Sequence, residues 1–336
     1  MRPSFFPRLV NGPFDDPGLF IPFVFKKRAI IFDLGDLYSL TAKDILKISH
    51  VFISHTHMDH FIGFDRLLRL FLGREQQIYL YGPEGFLKNV EGKLAGYSWD
   101  LVEHYSNLFA LNVTEVHHDH RITRNYTCQN RFMSVQEDIR QPFDGLLIKE
   151  PALSVSAEVL DHSIPCLGFT LEERFHVNII KERVAGLGLK IGPWLNEFKR
   201  SLYNNVDPDS EFEVTYGGQD SYKRKFILGD LTKRIALVTP GQKISYIVDA
   251  VYSKSNEAKI IELAKNSDHL FIEAAFLERD RDIAEKKCHL TAWQAGRIAG
   301  KAGVKQVTPF HFSPRYRGLE QLLEKETMDS YHRHIS

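Results

Sequence analysis

The chain has 336 residues, of which 43% are hydrophobic, and it carries 43 Lys and Arg against 43 Asp and Glu. This length and apolar content are ordinary for a globular protein of one large domain or two smaller ones, and they exclude a disordered chain. The formal net charge of zero excludes a bulk nucleic-acid coat protein, because no global positive field would hold the phosphates.

The cysteines and the first residues bear on the compartment. Cys128, Cys166 and Cys288 are widely spaced and form no CxxC pair, so they indicate neither a disulfide framework nor a thiolate zinc site. The apolar residues near the start are interrupted by Pro and Asp and end at Lys26-Lys27-Arg28. The pattern predicts neither a signal peptide nor a membrane span, and we expect a soluble cytoplasmic protein.

The first half of the chain alternates short strand patterns with turn signals. RAIIFDLG, HVFISH and QIYLYGP predict strands, and DRLLRLFLG predicts a helix that closes on Gly73. Residues 111–116 and 145–159 carry further strand patterns, and the polar stretch between them is predicted to be irregular.

The second half opens with residues 176–225, where turn residues and mixed charge show no sustained period and predict an inserted arm. Beyond the arm, KISYIVDA, HLFIEAAF and KQVTPFHFS predict strands, and EAKIIELAKNS and TAWQAGRIAGKAG predict helices. Strands that alternate with helices in both halves predict a layered α/β architecture.

The stretch FISHTHMDHFI crowds ligand-type side chains into the end of a predicted strand. His55 and His57 are two residues apart, so both can point at one ion, and Asp59 and His60 can reach a second ion from the following turn. Imidazole and carboxylate ligands without thiolate are typical of a hydrolytic zinc site or a similar divalent metal site. The alternative is a polar loop with chance histidines.

Six positions cannot complete two coordination spheres, and three other predicted strand ends supply further candidates: His162, Asp249 and His311. Each of them alone is more often a buried polar or capping residue. Together with the four residues of the first motif they make seven ligands, enough for a carboxylate-bridged pair of ions.

These residues resemble the metallo-β-lactamase superfamily and, within it, ribonuclease Z, the tRNA 3′-end processing endonuclease. ISHTHMDH is similar to the superfamily's HxHxDH motif, and LDHSIPCLGF is similar to the ribonuclease Z segment with the third metal histidine. The run CHLTAWQAGRIAGKAGVKQVTPFHFSPRY resembles that family's catalytic His, helix, strand and last metal His. The resemblance extends from about residue 29 to about residue 316.

The resemblance implies a single domain over residues 1–336, a four-layer αββα sandwich with an exosite-like arm at about 176–225, and commonly a homodimer. It implies two divalent metal ions, foremost Zn²⁺, with Mn²⁺ or Fe as alternatives. One ion would be held by His55, His57 and His162, the other by Asp59, His60 and His311, with Asp249 as the bridge. Asp59 would also orient the attacking hydroxide, His289 would protonate the leaving group, and Glu273 would orient His289.

The implied function is that of a metal-dependent phosphodiesterase that cuts RNA at the 3′ end of precursor tRNA by a metal-bound hydroxide. Ser313, Arg315 and Tyr316 are predicted to contact a phosphate or the RNA 3′ end, with surface salt bridging as the alternative.

Departures from the family pattern keep other functions open. Val248-Asp249-Ala250 stands for the usual Gly-Asp-Thr, and residues 33–38 depart from Asp-Cys-Gly-Glu-Gly-Thr. The first alternative is a hydrolase of the same fold that acts on a small substrate, such as a cyclic nucleotide, another phosphodiester, a sulfate ester or a lactone. The second is a non-catalytic, metal-bound RNA-binding or scaffold protein.

Overall fold

The computed structural model describes residues 4–24, 26–102, 105–134, 137–216 and 222–335. The chain divides into two compact units. The larger unit contains Phe5–Ile148, Val155–Leu171 and Lys243–Ser336, and the smaller contains Lys149–Ser154 and Glu172–Gln242 together with Ser4.

An eight-stranded sheet forms one layer of the larger unit, and its strands follow chain order. The strands are β1 (Arg8–Leu9), β2 (Leu19–Pro22), β3 (Ala29–Phe32), β4 (Ile48–Phe52), β5 (Gln76–Pro83), β6 (Phe109–Val116), β7 (His120–Thr127) and β8 (Ile139–Pro142). The four central strands, β3 to β6, are parallel to one another, so their carboxyl ends meet at one edge.

A six-stranded sheet forms the next layer in the order β18-β17-β16-β11-β10-β9. Its strands are β9 (Leu146–Lys149), β10 (Leu153–Leu160), β11 (Cys166–Glu173), β16 (Lys243–Ile247), β17 (His269–Glu273) and β18 (Val307–Phe310). β16, β17 and β18 are parallel, which again brings three carboxyl ends together.

The two sheets pack face to face through aromatic side chains. The Phe169 ring stacks on Phe32 with centroids 5.3 Å apart, and the Tyr246 hydroxyl donates to the buried Asp33 carboxylate at 2.9 Å. Helices cover the outer faces: α1 (Ala42–Ile45), α3 (Phe64–Phe71) and α4 (Phe86–Ala95) on the first sheet, and α8 (Lys254–Ala264), α10 (Ala292–Lys301) and α11 (Glu320–His334) on the second. Helix, sheet, sheet and helix make the four layers.

The remaining helices of the larger unit are short. They are α2 (Met58–Phe61) and α9 (Arg281–Lys286). Among the described residues, no helix combines the length and the apolar composition that a membrane crossing requires.

The smaller unit has its own apolar core, which includes Trp194 and Phe198. Its elements are β12 (Phe175–Ile179), α5 (Lys181–Gly186), α6 (Trp194–Tyr203), β13 (Glu211–Tyr216), β14 (Tyr222–Ile227), α7 (Leu228–Ile235) and β15 (Ala236–Pro240). Strands β13 and β14 form an antiparallel hairpin, where Lys223 pairs with Glu213 at 2.8 Å and Lys225 with Glu211 at 2.7 Å. These ion pairs neutralise the two lysines.

Some elements differ from the sequence prediction. The stretch predicted to be irregular contains β7 and β8, the last two strands of the sheet, whose polar side chains are mostly part-exposed or exposed. Residues 145–159 form two strands rather than one. The helices α4 and α11 were not predicted. In α11 the first and last turns are polar, so the apolar helical period of its buried positions is hard to detect in the sequence.

His269, which is not one of the ligand-type residues, makes the free energy of unfolding depend on pH. It begins β17, its Nε2 lies 2.7 Å from Thr308 Oγ1, and burial lowers its pKa from 6.5 to about 4. The unfolded chain therefore binds a proton more readily between these pH values, so the free energy of unfolding falls as the pH drops through this window.

Between pH 7 and pH 5 we expect the free energy of unfolding to fall by about 1 kcal/mol more in wild type than in His269→Phe. This value is reduced to allow for the partial exposure of His269. Urea unfolding of both proteins in EDTA measures this difference. Parallel pH profiles of the two proteins would contradict the assignment.

Candidate metal centre

The carboxyl ends of parallel strands from both sheets carry the ligand-type side chains. His55 lies three residues beyond the end of β4, Asp249 lies two residues beyond β16, and His311 follows β18 directly. Glu273 is the last residue of β17. Polar side chains at such ends converge because parallel strands finish at one edge of a sheet.

The backbone at this edge is strained. Asp33, Asp249, Cys288 and His311 all have positive φ, at 58°, 50°, 60° and 57°. Non-glycine residues adopt this region at a cost of order 1–3 kcal/mol and keep it where surrounding contacts hold them there. Asp249 and His311, both ligand candidates, adopt this conformation, as does Asp33 beside His60.

The predicted ligands lie in two groups that share one neighbourhood. In one group the candidate atoms of His55, His57, His162 and Asp249 all lie within 4.8 Å of one another, and in another the same holds for Asp59, His60 and His311. Asp249 joins the groups, since its Oδ2 is 3.3 Å from both His55 Nε2 and His60 Nε2. The structure thus brings all seven predicted ligands together.

The spacings fit a metal ion better than direct pairing. Ligands about 2.0–2.1 Å from a tetrahedral ion lie about 3.4 Å from one another. The Asp59 Oδ2 atom is 3.5 Å from His60 Nε2 and from His311 Nε2, and Asp249 Oδ2 is 3.7 Å from His162 Nε2.

Buried polar atoms without hydrogen bonds give an independent test of fit. In the part of the chain that the structure describes, His55 Nε2, His60 Nε2, Asp249 Oδ1 and His311 Nδ1 are buried and form no hydrogen bond. His311 Nδ1 and Asp249 Oδ1 are only 3.0 Å apart, yet their orientation excludes a hydrogen bond. Buried polar atoms are rarely left without a partner, so the donor set fits divalent cations.

A carboxylate behind His60 holds its imidazole in place. His60 Nδ1 lies 2.9 Å from Asp33 Oδ2, and Asp33 also accepts from Ser54 N at 2.6 Å and from Tyr246 OH at 2.9 Å. This contact leaves Nε2 facing Asp249 and Asp59. The sequence analysis missed this role of Asp33 and Tyr246, although an aspartate directly after the strand AIIF was a usable signal.

His162 is oriented in the same way. Its Nδ1 lies 2.9 Å from the Cys288 carbonyl oxygen, so Nδ1 carries the proton and Nε2 presents a lone pair. The positive φ of Cys288 orients this carbonyl, and no residue pattern in the sequence predicted that backbone conformation.

His289 and Glu273 form a close pair beside the cluster. His289 Nδ1 is 2.9 Å from Glu273 Oε2, and Glu273 Oε1 accepts from Ala250 N at 2.7 Å. Glu273 is fully buried, whereas the His289 side chain keeps 19% exposure. The imidazole is therefore anchored on one nitrogen and open on the other.

Comparisons with known proteins were made for the sequence and for the fold. No family model matches the chain. The chain is 28% identical over 292 residues to a ribonuclease Z of Deinococcus radiodurans, covering 86% of this chain and 83% of that protein. It is 27% identical to a ribonuclease Z of Anoxybacillus flavithermus, covering 83% of this chain and 74% of the relative.

Two solved structures show the same architecture. The metallo-β-lactamase fold protein YhfI from Bacillus subtilis aligns with a TM-score of 0.54 at 14% identity, covering 95% of this chain and 86% of that one. The short form of human tRNase Z aligns with a TM-score of 0.51 at 18% identity, covering 94% and 93%. The chain has the metallo-β-lactamase fold. Its resemblance to ribonuclease Z, predicted from three motifs, is confirmed over most of its length.

In the candidate metal centre of this metallo-β-lactamase fold, neighbouring carboxylates and imidazoles shift the pKa values of His60 and Asp59. Burial lowers the pKa of His60, but the Asp249 and Asp33 carboxylates raise it to about 9. Burial raises the pKa of Asp59, but the His311 and His60 imidazoles lower it to about 2. Carboxylates that hold a proton on His60 also attract a cation, so metal binding would displace that proton.

The three predicted substrate contacts lie in different settings. Tyr316 is 3% exposed and its hydroxyl donates to Asp280, so its side chain is held by the 277–280 segment. Arg315 is exposed at 44% of its side chain and its Nη1 is 3.8 Å from Asp280 Oδ1. Ser313 donates its backbone N–H to the Ala275 carbonyl at 3.0 Å. Of the three, Arg315 keeps the most accessible polar group.

Chelation should lower the melting temperature, because a ligand that binds only the folded state stabilises it by mass action. Metal at a thousandfold excess over its dissociation constant contributes about 4 kcal/mol, which corresponds to roughly 6 °C in a chain of this size. Thermal unfolding with and without EDTA measures the shift, and added Zn²⁺ should reverse it.

His269→Phe is the matched control, since His269 lies outside the cluster, and it should keep the full EDTA effect. In Asp249→Ala the effect should shrink. An identical melting temperature of wild type with and without EDTA would count against a metal centre.

Proposed function

We propose that this chain is a metal-dependent phosphodiesterase of the ribonuclease Z type, which cleaves RNA at the 3′ end of precursor tRNA. The observation that carries the proposal is the convergence of seven His and Asp ligand candidates, with orphaned buried nitrogens and oxygens among them. The likeness to ribonuclease Z proteins over most of the chain supports an RNA substrate.

We propose two Zn²⁺ ions as the cofactor. His55, His57 and His162 would hold one and Asp59, His60 and His311 the other, with Asp249 shared between them. Bound ions would lower the pKa of bound water to about 7 and draw charge from the attacked phosphoryl oxygen. The absence of thiolate ligands suits an open catalytic site.

Three side chains have further tasks in this proposal. Asp59 is 44% exposed on its side chain, so it can orient an attacking hydroxide on the open side of the cluster by accepting its hydrogen bond. His289 faces the departing oxygen with Nε2, because Nδ1 is held by Glu273. The buried Glu273 carboxylate raises the pKa of His289 against the effect of burial, which favours a protonated imidazole that can donate from Nε2.

The direct test of the proposal compares two substrates. Purified Zn²⁺-loaded protein is incubated with a 3′-extended tRNA and with bis-p-nitrophenyl phosphate. Cleavage of the tRNA at its 3′ end is the expected result. Hydrolysis of the small ester alone would retire the tRNA substrate in favour of a small phosphodiester, and hydrolysis of neither would favour a non-catalytic protein.

The proposal also covers the oligomeric state, the cellular location and the parts of the chain that would contact RNA. We propose a homodimer on the likeness to ribonuclease Z, which size-exclusion chromatography with light scattering tests. We propose a cytoplasmic location, with which the three free cysteines agree. The smaller unit would serve as the arm of a single metallo-β-lactamase-fold domain, and Ser313 and Arg315 would contact the RNA near the cut.

A further inference from the structure

A groove next to the candidate metal centre has no role in the function proposed so far. It has a volume of about 930 Å³ and is lined by the 36–38 turn, by Ile62, by α3 and by residues 97–99. This volume is in the range of ligand-binding clefts. We call it the Tyr38 groove, after the exposed aromatic residue on its wall.

One end of the groove lies close to the segment that carries Asp59 and His60. Asp16 lines it, and Gly35 lies between Asp16 and Asp59, since a Cβ on Gly35 would be 2.6 Å from Asp16 Cβ and 2.8 Å from the Asp59 carbonyl. Ile62, one residue beyond the helix that carries Asp59 and His60, also lines the groove. A chain that leaves the metal centre over α2 therefore enters the groove directly.

Large apolar side chains are exposed along this path. Tyr38 is 76% exposed, Met58 77%, Tyr97 45% and Ile62 43%. Water-facing apolar side chains grouped beside a site mark a binding surface. Aromatic faces in such a group are what unpaired nucleobases stack on.

The charged side chains of the groove indicate where the phosphates of a bound RNA strand would lie. The guanidinium carbon of the part-exposed Arg66 lies 4.1 Å from the Tyr38 ring centroid, and its Nη2 donates to the Leu40 carbonyl at 3.4 Å, so the cation is held at the groove wall. Arg69 is exposed one turn further along α3. Asp65, on the same helix, is neutralised by Lys93 at 3.0 Å. Asp16 and Asp36, at the end near the metal centre, repel phosphates, so the backbone of a bound strand would follow the arginines.

We propose that the Tyr38 groove binds the single-stranded RNA that flanks the scissile bond, with a base on Tyr38 and phosphates at Arg66 and Arg69. This inference rests on the proposed function and deepens it by adding a second contact region to the substrate. It assigns Tyr38 and Arg66 as specificity-determining residues for unpaired RNA.

The test measures the affinity for a fluorescein-labelled single-stranded hexaribonucleotide by anisotropy at fixed low salt. Tyr38→Ala should raise Kd about tenfold, because stacking of one base on an aromatic ring is worth this much or more. Tyr38→Phe keeps the ring and should stay within about twofold of wild type. Phe6→Ala, which removes an aromatic side chain that is 55% exposed and outside the groove, should also stay within about twofold.

Thermal unfolding confirms that each variant is folded. A folded Tyr38→Ala that binds the oligonucleotide as wild type does overturns the inference and leaves the groove for a protein partner. So does wild type that does not bind the oligonucleotide. Either result leaves the proposed function standing if 3′-extended tRNA is still cleaved, whereas oligonucleotide binding without any cleavage refutes the proposed function and keeps the groove.

Discussion

Asp59→Ala is expected to abolish hydrolysis of both RNA and small phosphodiesters. Asp59 is the half-exposed carboxylate of the cluster, and its Oδ2 is 3.5 Å from both His60 Nε2 and His311 Nε2. Its removal takes away a ligand candidate and the hydrogen-bond acceptor that orients the attacking hydroxide. We expect kcat to fall at least about 10³-fold, the loss typical when a preorganised polar group is removed from the reacting atoms.

Asp119→Asn is the matched control for this variant. Asp119 lies in the turn between β6 and β7, its side chain is 86% exposed, and it pairs with His120 at 2.7 Å. The control should hydrolyse the activated ester at the wild-type rate. A folded Asp59→Ala with more than a tenth of wild-type kcat would contradict the role of Asp59.

His289→Ala should slow the reaction in proportion to how poor the leaving group is. An RNA alkoxide needs a proton as it departs, and general acid help of this kind contributes about 10²- to 10⁴-fold. A p-nitrophenolate leaves without it. We therefore expect a loss of at least about 10²-fold on RNA and less than about tenfold on bis-p-nitrophenyl phosphate.

Glu273→Gln is the companion variant, because it keeps the size of the side chain but removes the charge beside His289 Nδ1. It should lower the pKa of His289 and move the loss of RNA cleavage at high pH to a lower pH. Metal content should stay at the wild-type level in His289→Ala. Equal losses on both esters would show that His289 is not the proton donor.

The site was predictable from the sequence where the ligands are local or end a strand. The HxHxDH segment places His55, His57, Asp59 and His60 within six positions, and an apolar run before Asp249 marks its strand end. The parallel strands β3 to β6 and β16 to β18 were recognisable because central strands are apolar on both faces, whereas β2, β7, β8 and β11 were not predicted. These signals are carried by neighbouring residues, so no tertiary contact is needed to detect them.

The rest depended on contacts between distant segments. The bond from Tyr246 to Asp33 joins two sheets across 213 positions, and the Cys288 carbonyl reaches His162 across 126. The backbone turns at Asp249 and His311 depend on positive φ that these residue types do not require. The Tyr38 groove could not be predicted either, since its walls come from four separate segments of the chain.

Metal stoichiometry tests the central claim most directly. The purified protein is loaded with Zn²⁺, desalted and measured by inductively coupled plasma mass spectrometry against protein concentration. Two ions per chain are expected, because the ligand candidates form two groups joined by Asp249. A content below one ion per chain in folded protein would contradict the dinuclear centre and the hydrolytic function proposed from it.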